Sequence, residues 1–236
     1  MLKISHFSKS YDGKKKACDD VSLTIEAGEI YGFIGHNGAG KTTLLKSIAG
    51  ILDFEDGEIE VDGHSIKKDP LAAKRVLAYI PDNPDVYEPL TGMQYLNFVS
   101  DIFGIPAADR KPRIERYAAM FEILGVLNDP IATYSHGMKQ KLVIISALVH
   151  EPKVFILDEP FVGLDPKAAF QLKEIFRDLC AKGALIFFST HILEVAEKLC
   201  TKIAIIRRGQ IVASGPTQEI TKDGSLEEVF LELIEK

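Results

Sequence analysis

Apolar and polar positions alternate at the start of the chain, with Leu2, Ile4 and His6 on one side, and again at Val21, Leu23 and Ile25. This period of two predicts two strands with one solvated face, separated by a turn at Tyr11-Asp12-Gly13-Lys14 and closed by Ala27-Gly28. Asp56-Gly57 and Asp62-Gly63 bracket a third short strand, Glu58 to Val61. Strands patterned this way predict an antiparallel sheet. Other runs are apolar throughout: Ile30 to Ile34, Val154 to Leu157, Ala184 to Phe188 and Ile203 to Ile206. Strands apolar on both faces suit a parallel sheet covered by helices, so an α/β fold with a mixed sheet core is expected.

Between these runs the pattern changes. Leu71 to Val76 predicts a short helix and Ala78-Tyr79-Ile80 a short buried strand, after which Pro81-Asp82-Asn83-Pro84 breaks regular structure. From Thr91 to His150 the period is helical. Tyr95, Leu96, Val99, Ile102 and Phe103 share one face, and Ala118, Phe121, Ile123 and Leu124 form a second apolar segment. Gly104-Ile105-Pro106 and Leu127-Asn128-Asp129-Pro130 punctuate them. The expected organisation is a core formed by 1–89 and 151–208 with a β subdomain, a helical insertion at 90–150 hinged through Pro81 to Pro89, and a C-terminal strand and helix at 209–236. In the tail, Ser225 and Glu228 fit a capping box ahead of Leu226, Val229, Phe230, Leu233 and Ile234, which predicts a docked packing helix. No internal repeat or low-complexity segment appears.

The 236 residues are ample for a packed core, and 46% apolar with 26% charged residues is an ordinary soluble composition. A net charge of −6 argues against a general nucleic-acid binder. Cys18, Cys180 and Cys200 lack metal-site spacing, and an odd count argues against a disulfide framework, so reduced thiols are expected. The N-terminus has no signal-type apolar region and no apolar run reaches transmembrane length, so any membrane spans would come from another protein.

The candidate chemistry centres on Gly35-His36-Asn37-Gly38-Ala39-Gly40-Lys41-Thr42-Thr43, a full match to G-x-x-x-x-G-K-[ST] between a predicted strand and a predicted helix. Glycines let backbone N–H groups converge on phosphate oxygens, and the helix N-terminus adds partial positive charge. Lys41 is placed to supply an ammonium to the β- and γ-phosphates, and the Thr42 hydroxyl can ligate Mg²⁺. The run Val154 to Leu157 ends in Asp158-Glu159. An acid at such a strand end can hold Mg²⁺, which assigns Asp158, and Glu159 is placed to polarise a water for attack on the γ-phosphate.

With these motifs in order, the chain resembles the ATP-binding cassette (ABC) ATPases over nearly its whole length. The resemblance implies ATP hydrolysis with Mg²⁺. Tyr134 to Gln140 (YSHGMKQ) is similar to the family's signature motif, L-S-G-G-Q, departing from it at Tyr134, His136 and Met138. By the resemblance, Ser135 and Gly137 contact ATP held by a second cassette subunit, although a plain helix cap is the other reading of Ser135. Gly163-Leu164-Asp165 resembles the D-loop, which assigns Asp165 to the same subunit boundary. His191 resembles the switch histidine, which donates to the γ-phosphate and orients Glu159. Tyr11 resembles the aromatic that stacks on adenine, with Ala17 beside it. At the Q-loop position the family has glutamine and this chain has Asp82, a carboxylate able to ligate Mg²⁺ but with no amide donor. The implied role is an ATPase on the cytoplasmic face of the cell membrane, working as a homo- or heterodimer of cassettes and driving separate transmembrane subunits. The Ser-x-Gly-Met variant of the signature is similar to exporter-type members. Two alternatives stand beside this one: a soluble mechanochemical switch acting on a ribosome or DNA, and a nucleotide-binding regulator that hardly hydrolyses.

Overall fold

The computed structural model describes residues 1–222 and 224–235; Asp223, Lys236 and the side chains of Ile234 and Glu235 lie outside the described residues. The chain divides into two compact units, one formed by Met1–Tyr79, Lys153–Pro160 and Phe176–Lys236, the other by Ile80–Pro152 and Phe161–Ile175.

The strands are β1 (Leu2–Ser10), β2 (Lys16–Ile25), β3 (Ile30–Ile34), β4 (Asp56–Val61), β5 (His64–Ser65), β6 (Leu77–Ile80), β7 (Val154–Asp158), β8 (Leu185–Thr190), β9 (Lys202–Arg207) and β10 (Gln210–Pro216). They form a sheet in the order β2-β1-β4-β5 and a second in the order β10-β9-β3-β8-β7-β6. In the first sheet β1 pairs antiparallel with both β2 and β4. In the second, β3 runs parallel to β8 and β9, and β7 parallel to β8, with only the β9–β10 hairpin antiparallel among these pairings. Every residue of β3, β7 and β8 is buried, as two covered faces require. The registers Ile34↔Thr190 and Asp158↔Ser189 bring the carboxyl ends of these three strands to one edge. That edge is where open parallel sheets place their ligands.

One predicted alternation fails. Leu2 and Ile4 point inward, but His6 does not: the register shifts between Ile4 and Phe7, and Phe7 takes the buried position. His6 adopts φ +51° and its exposed ring lies 2.8 Å from the Asp20 carboxylate. A left-handed residue costs about 1–2 kcal/mol. Burying Phe7, which packs edge-on against Phe54 at 5.1 Å, returns about 1.5–3 kcal/mol, so the bulge is favoured.

The helices of the second unit are α3 (Gly92–Ile102), α4 (Ala107–Met120) and α5 (His136–Val149), together with the first part of α6 (Pro166–Ala181). Thr91 and Gln94 close a capping box at the start of α3. Ile102, expected to face inward, is 64% exposed; it is the last residue of α3, and Ser100 is buried instead with its hydroxyl donating to Leu96 O at 2.7 Å. The apolar run 118–124 straddles the end of α4. Glu122 turns with φ +60°, Phe121 and Ile123 are buried, and Leu124 is exposed.

The first unit carries α1 (Lys41–Ile48), α2 (Pro70–Arg75), α7 (Leu193–Leu199), α8 (Thr217–Ile220) and α9 (Leu226–Glu235). Ser225 and Glu228 form the expected reciprocal cap on α9, with Ser225 N donating to Glu228 Oε2 at 2.8 Å and Glu228 N to Ser225 Oγ at 3.3 Å. Leu226 and Phe230 are buried. All three cysteines are buried free thiols. Among the described residues, no helix is long and apolar enough to cross a membrane.

Candidate functional site

The chain leaves β3 at Ile34, loops through Gly35 to Gly40 and enters α1 at Lys41. Gly40 sits at the helix cap with φ +112°. A Cβ there would lie 2.3 Å from the Ala17 carbonyl, so no other residue fits this close approach. No side chain caps α1 and its first turn has no acid, leaving its N–H groups available to an anion. His36, Asn37 and Gly38 are exposed at the loop crest.

Lys41 is only 6% exposed. Its ammonium curls back onto the loop, donating to Gly35 O at 2.6 Å and His36 O at 3.3 Å, and lies 3.6 Å from Glu159 Oε1. Burial lowers its pKa, while the negative charges of Glu159 and Asp158 pull the other way. Thr42 is half-buried beside it. Thr43 is buried, with its hydroxyl 3.1 Å from the phenolic oxygen of Tyr11. The Tyr11 ring is 67% exposed. It lines a pocket of about 640 Å³ together with Ala17, loop residues 36–39 and the β9–β10 turn at 206–209. A ring on one wall and a glycine-rich loop at the base give the pocket a shape that suits a nucleotide.

At the end of β7, Asp158 is 1% exposed and accepts a 2.5 Å hydrogen bond from the Ser189 hydroxyl on β8. Glu159 leaves the strand with φ +49°, a conformation costing about 1–3 kcal/mol for a residue of this type. Its N–H is held by Ser189 Oγ at 3.0 Å and Ser189 O at 3.2 Å. Its Oε1 is 3.0 Å from His191 Nδ1, and its Oε2 accepts from the His191 N–H at 3.3 Å. The turned backbone thus sets one carboxylate between the Lys41 ammonium and the His191 ring. Ser189 was not among the expected site residues, yet it fixes both acids.

Thr42 and Asp158 supply hard oxygen donors suited to Mg²⁺. Among the described residues no group of three or more His, Cys, Asp or Glu could hold a metal by itself. A divalent ion at this pair therefore needs phosphate oxygens and water to complete its shell, the usual Mg²⁺ arrangement with a nucleotide.

The second unit carries the other expected residues. Ser135 caps α5, its hydroxyl accepting from Met138 N at 3.3 Å. Gly137 and Gly163 abut: a Cβ on Gly137 would lie 2.9 Å from Gly163 O, and one on Gly163 would lie 2.9 Å from His136 Cδ2. Asp165 accepts from Ala168 N at 2.8 Å and pairs with the Lys141 ammonium at 2.6 Å. The Lys141 bond, then the Ala168 N–H, hold its carboxyl below the usual range. The start of α5 and the 163–165 loop thus meet at glycine backbone and at one ion pair. Lys141 is a second residue absent from the sequence reading. Asp82 is exposed, and its carboxylate accepts from Asn83 N at 2.9 Å.

Comparison with known proteins gives consistent results. The family model described as ABC transporter matches residues 18–162. The ABC-type transporter ATP-binding protein EcsA of Bacillus subtilis is 36% identical over 99% of this chain and 96% of its own length. The linearmycin resistance ATP-binding protein LnrL of the same organism is 33% identical over 93% of this chain and 70% of its own. A solved structure described as the ATP-binding subunit of an ABC transporter superposes with a TM-score of 0.94 at 35% identity, covering 99% of both chains.

Proposed function

The chain belongs to the ABC transporter family as an ATP-binding subunit and ATPase, and from that premise we propose the following division of labour among its residues. The observation that carries it is the convergence of Lys41, Glu159 and His191 at the carboxyl ends of neighbouring parallel strands. Tyr11 stacks on adenine. The amides of Gly35, His36, Asn37, Gly38, Ala39, Gly40, Lys41, Thr42 and Thr43 cradle the phosphates. Lys41, now turned onto Gly35 O and facing Glu159, swings to the β- and γ-phosphate oxygens when ATP enters. Thr42 and Asp158 would hold Mg²⁺, which when bound neutralises phosphate charge, and Asp82 is a further candidate ligand.

Glu159 accepts the proton of the attacking water. Its exchange of Lys41 for the water is the reason its carboxylate is free to act only when phosphate draws the ammonium away. His191 keeps Glu159 oriented and donates to the γ-phosphate. Ser135, Gly137 and Asp165 act on the nucleotide of a second cassette, each copy completing the other's site head to tail. Residues 90–150 act as the helical subdomain carrying the signature, with 81–89 as its hinge, and 209–236 as the C-terminal strand and helix. Two bound ATP molecules hold the cassettes together and hydrolysis lets them part.

That cycle drives separate membrane-spanning subunits from the cytoplasmic face. The resistance function named for LnrL and the Ser-x-Gly-Met signature both favour export. A soluble switch on a ribosome or DNA is not favoured, because the relatives are transporter ATP-binding proteins.

The test is Glu159→Gln, which keeps the shape and removes the base. ATP binding is expected to persist while kcat falls about 10²- to 10⁴-fold. Turnover within about tenfold of the parent would remove Glu159 as the base.

A further inference from the structure

We propose that the C-terminal helix α9 is a positioning element for the phosphate loop, with Phe230 holding His36 so that nucleotide occupancy and docking of the tail are coupled. The inference rests on the nucleotide reading of the loop and goes beyond it, since the tail was expected only to pack.

Phe230 is 7% exposed, and its ring meets the His36 ring edge-on, with centroids 5.1 Å apart and planes at 61°. His36 is otherwise an exposed residue at the crest of a glycine-rich loop, and its carbonyl is one of the two that hold the Lys41 ammonium. A ring clamped there fixes backbone that would otherwise have to be ordered when phosphate binds. Two further contacts tie the same helix to the site. Arg207, in the wall of the pocket beside Tyr11, donates from Nη1 to Leu233 O at 2.9 Å near the end of α9. The helix also packs on α7, which begins two residues after His191. One helix therefore touches the phosphate loop, the pocket wall and the element that follows His191. Its start is fixed by the Ser225–Glu228 cap and by the fully buried Leu226. Two of these three partners, His36 of the loop and Arg207, line the pocket beside Tyr11, and a helix held only for packing needs neither. Linkage makes the effect mutual: if docked α9 favours the phosphate-ready loop, bound nucleotide favours docked α9.

The experiment compares the full chain with Phe230→Leu, which keeps apolar bulk and loses the ring edge, and with Phe230→Tyr, which keeps the ring. Steady-state ATP hydrolysis separates KM from kcat, and amide exchange follows residues 35–41 without nucleotide and residues 226–235 with and without MgATP. Phe230→Leu is expected to raise KM for ATP about two- to tenfold with kcat little changed, and to speed exchange in the loop. Phe230→Tyr is expected to restore both. In the parent chain MgATP is expected to slow exchange in α9, a measurement that needs no variant to fold. If Phe230→Leu loosens α9 but leaves KM and loop exchange at parental values, or if MgATP leaves α9 exchange unchanged, the helix is packing alone. A parent chain that takes no ATP would instead overturn the nucleotide reading, and the coupling with it.

Discussion

Ser189 shows how one hydroxyl can set two carboxylates. It donates to Asp158 Oδ1 and accepts from the Glu159 N–H, so both of its capacities are used inside a fully buried position. Removing it in Ser189→Ala leaves Asp158 short of a donor and Glu159 N with only the Ser189 carbonyl at 3.2 Å. Stability is expected to fall by about 1–3 kcal/mol. Because Glu159 is held in a left-handed turn, kcat should also drop about 10- to 100-fold through misplacement of its carboxylate. Urea denaturation and ATPase assays check the two effects separately, and a stability loss with unchanged kcat would make Ser189 a packing residue. The placement of Lys41 on a loop and of Asp158 and Glu159 at a strand end was readable from local sequence, while His191 was singled out through the family resemblance. The part played by Ser189 was not. It depends on the pairing Asp158↔Ser189 between strands 31 positions apart, and no local pattern encodes that register.

Among the elements, legibility followed the strength of the apolar pattern. The runs at 30–34, 154–157 and 203–206 are buried on both faces and left no rival assignment. In β1 the alternation survived only to Ile4, because a bulge moves the inward position by one residue and the sequence does not announce it. Helix ends fared similarly: the spacing that placed Ile102 inside α3 could not foresee that the helix stops there. The start of α3 was readable in principle from Thr91-x-x-Gln94. Thr91 Oγ1 accepts from Gln94 N at 3.1 Å, and Gln94 Oε1 accepts from Thr91 N at 2.9 Å. Thr91→Ala is expected to cost about 1 kcal/mol, read as a lower urea midpoint. The KM for ATP should stay unchanged, because α3 holds none of the residues assigned to the nucleotide. A large rise in KM would show that this helix takes part in the site.

Over the molecule as a whole, the residues assigned to ATP divide between the two units. Lys41, Asp158, Glu159 and His191 belong to the first, and Ser135, Gly137 and Asp165 to the second. In the proposed head-to-tail arrangement each nucleotide is met by the first unit of one chain and the second unit of another, so hydrolysis of one phosphate is felt by two chains. The movement has a use only if something receives it. Among the described residues no helix is long and apolar enough to cross a membrane, and the proposed transporter role assigns the spans to a separate partner. The site residues named above are assigned to a nucleotide and not to a cargo, so the fold and this site do not identify what is transported. The decisive measurement is therefore isolation of this chain from gently solubilised native membranes after cross-linking, with identification of what accompanies it. A polytopic membrane protein is expected in the complex, with recovery increased in Glu159→Gln plus ATP, the condition in which the proposed cycle keeps the cassettes together. Ribosomal or DNA-repair partners, with the chain absent from the membrane fraction, would overturn the transporter assignment while leaving the hydrolytic site intact. The two conclusions can thus fail separately: one rests on side chains a few ångströms apart, the other on a partner the cassette must move.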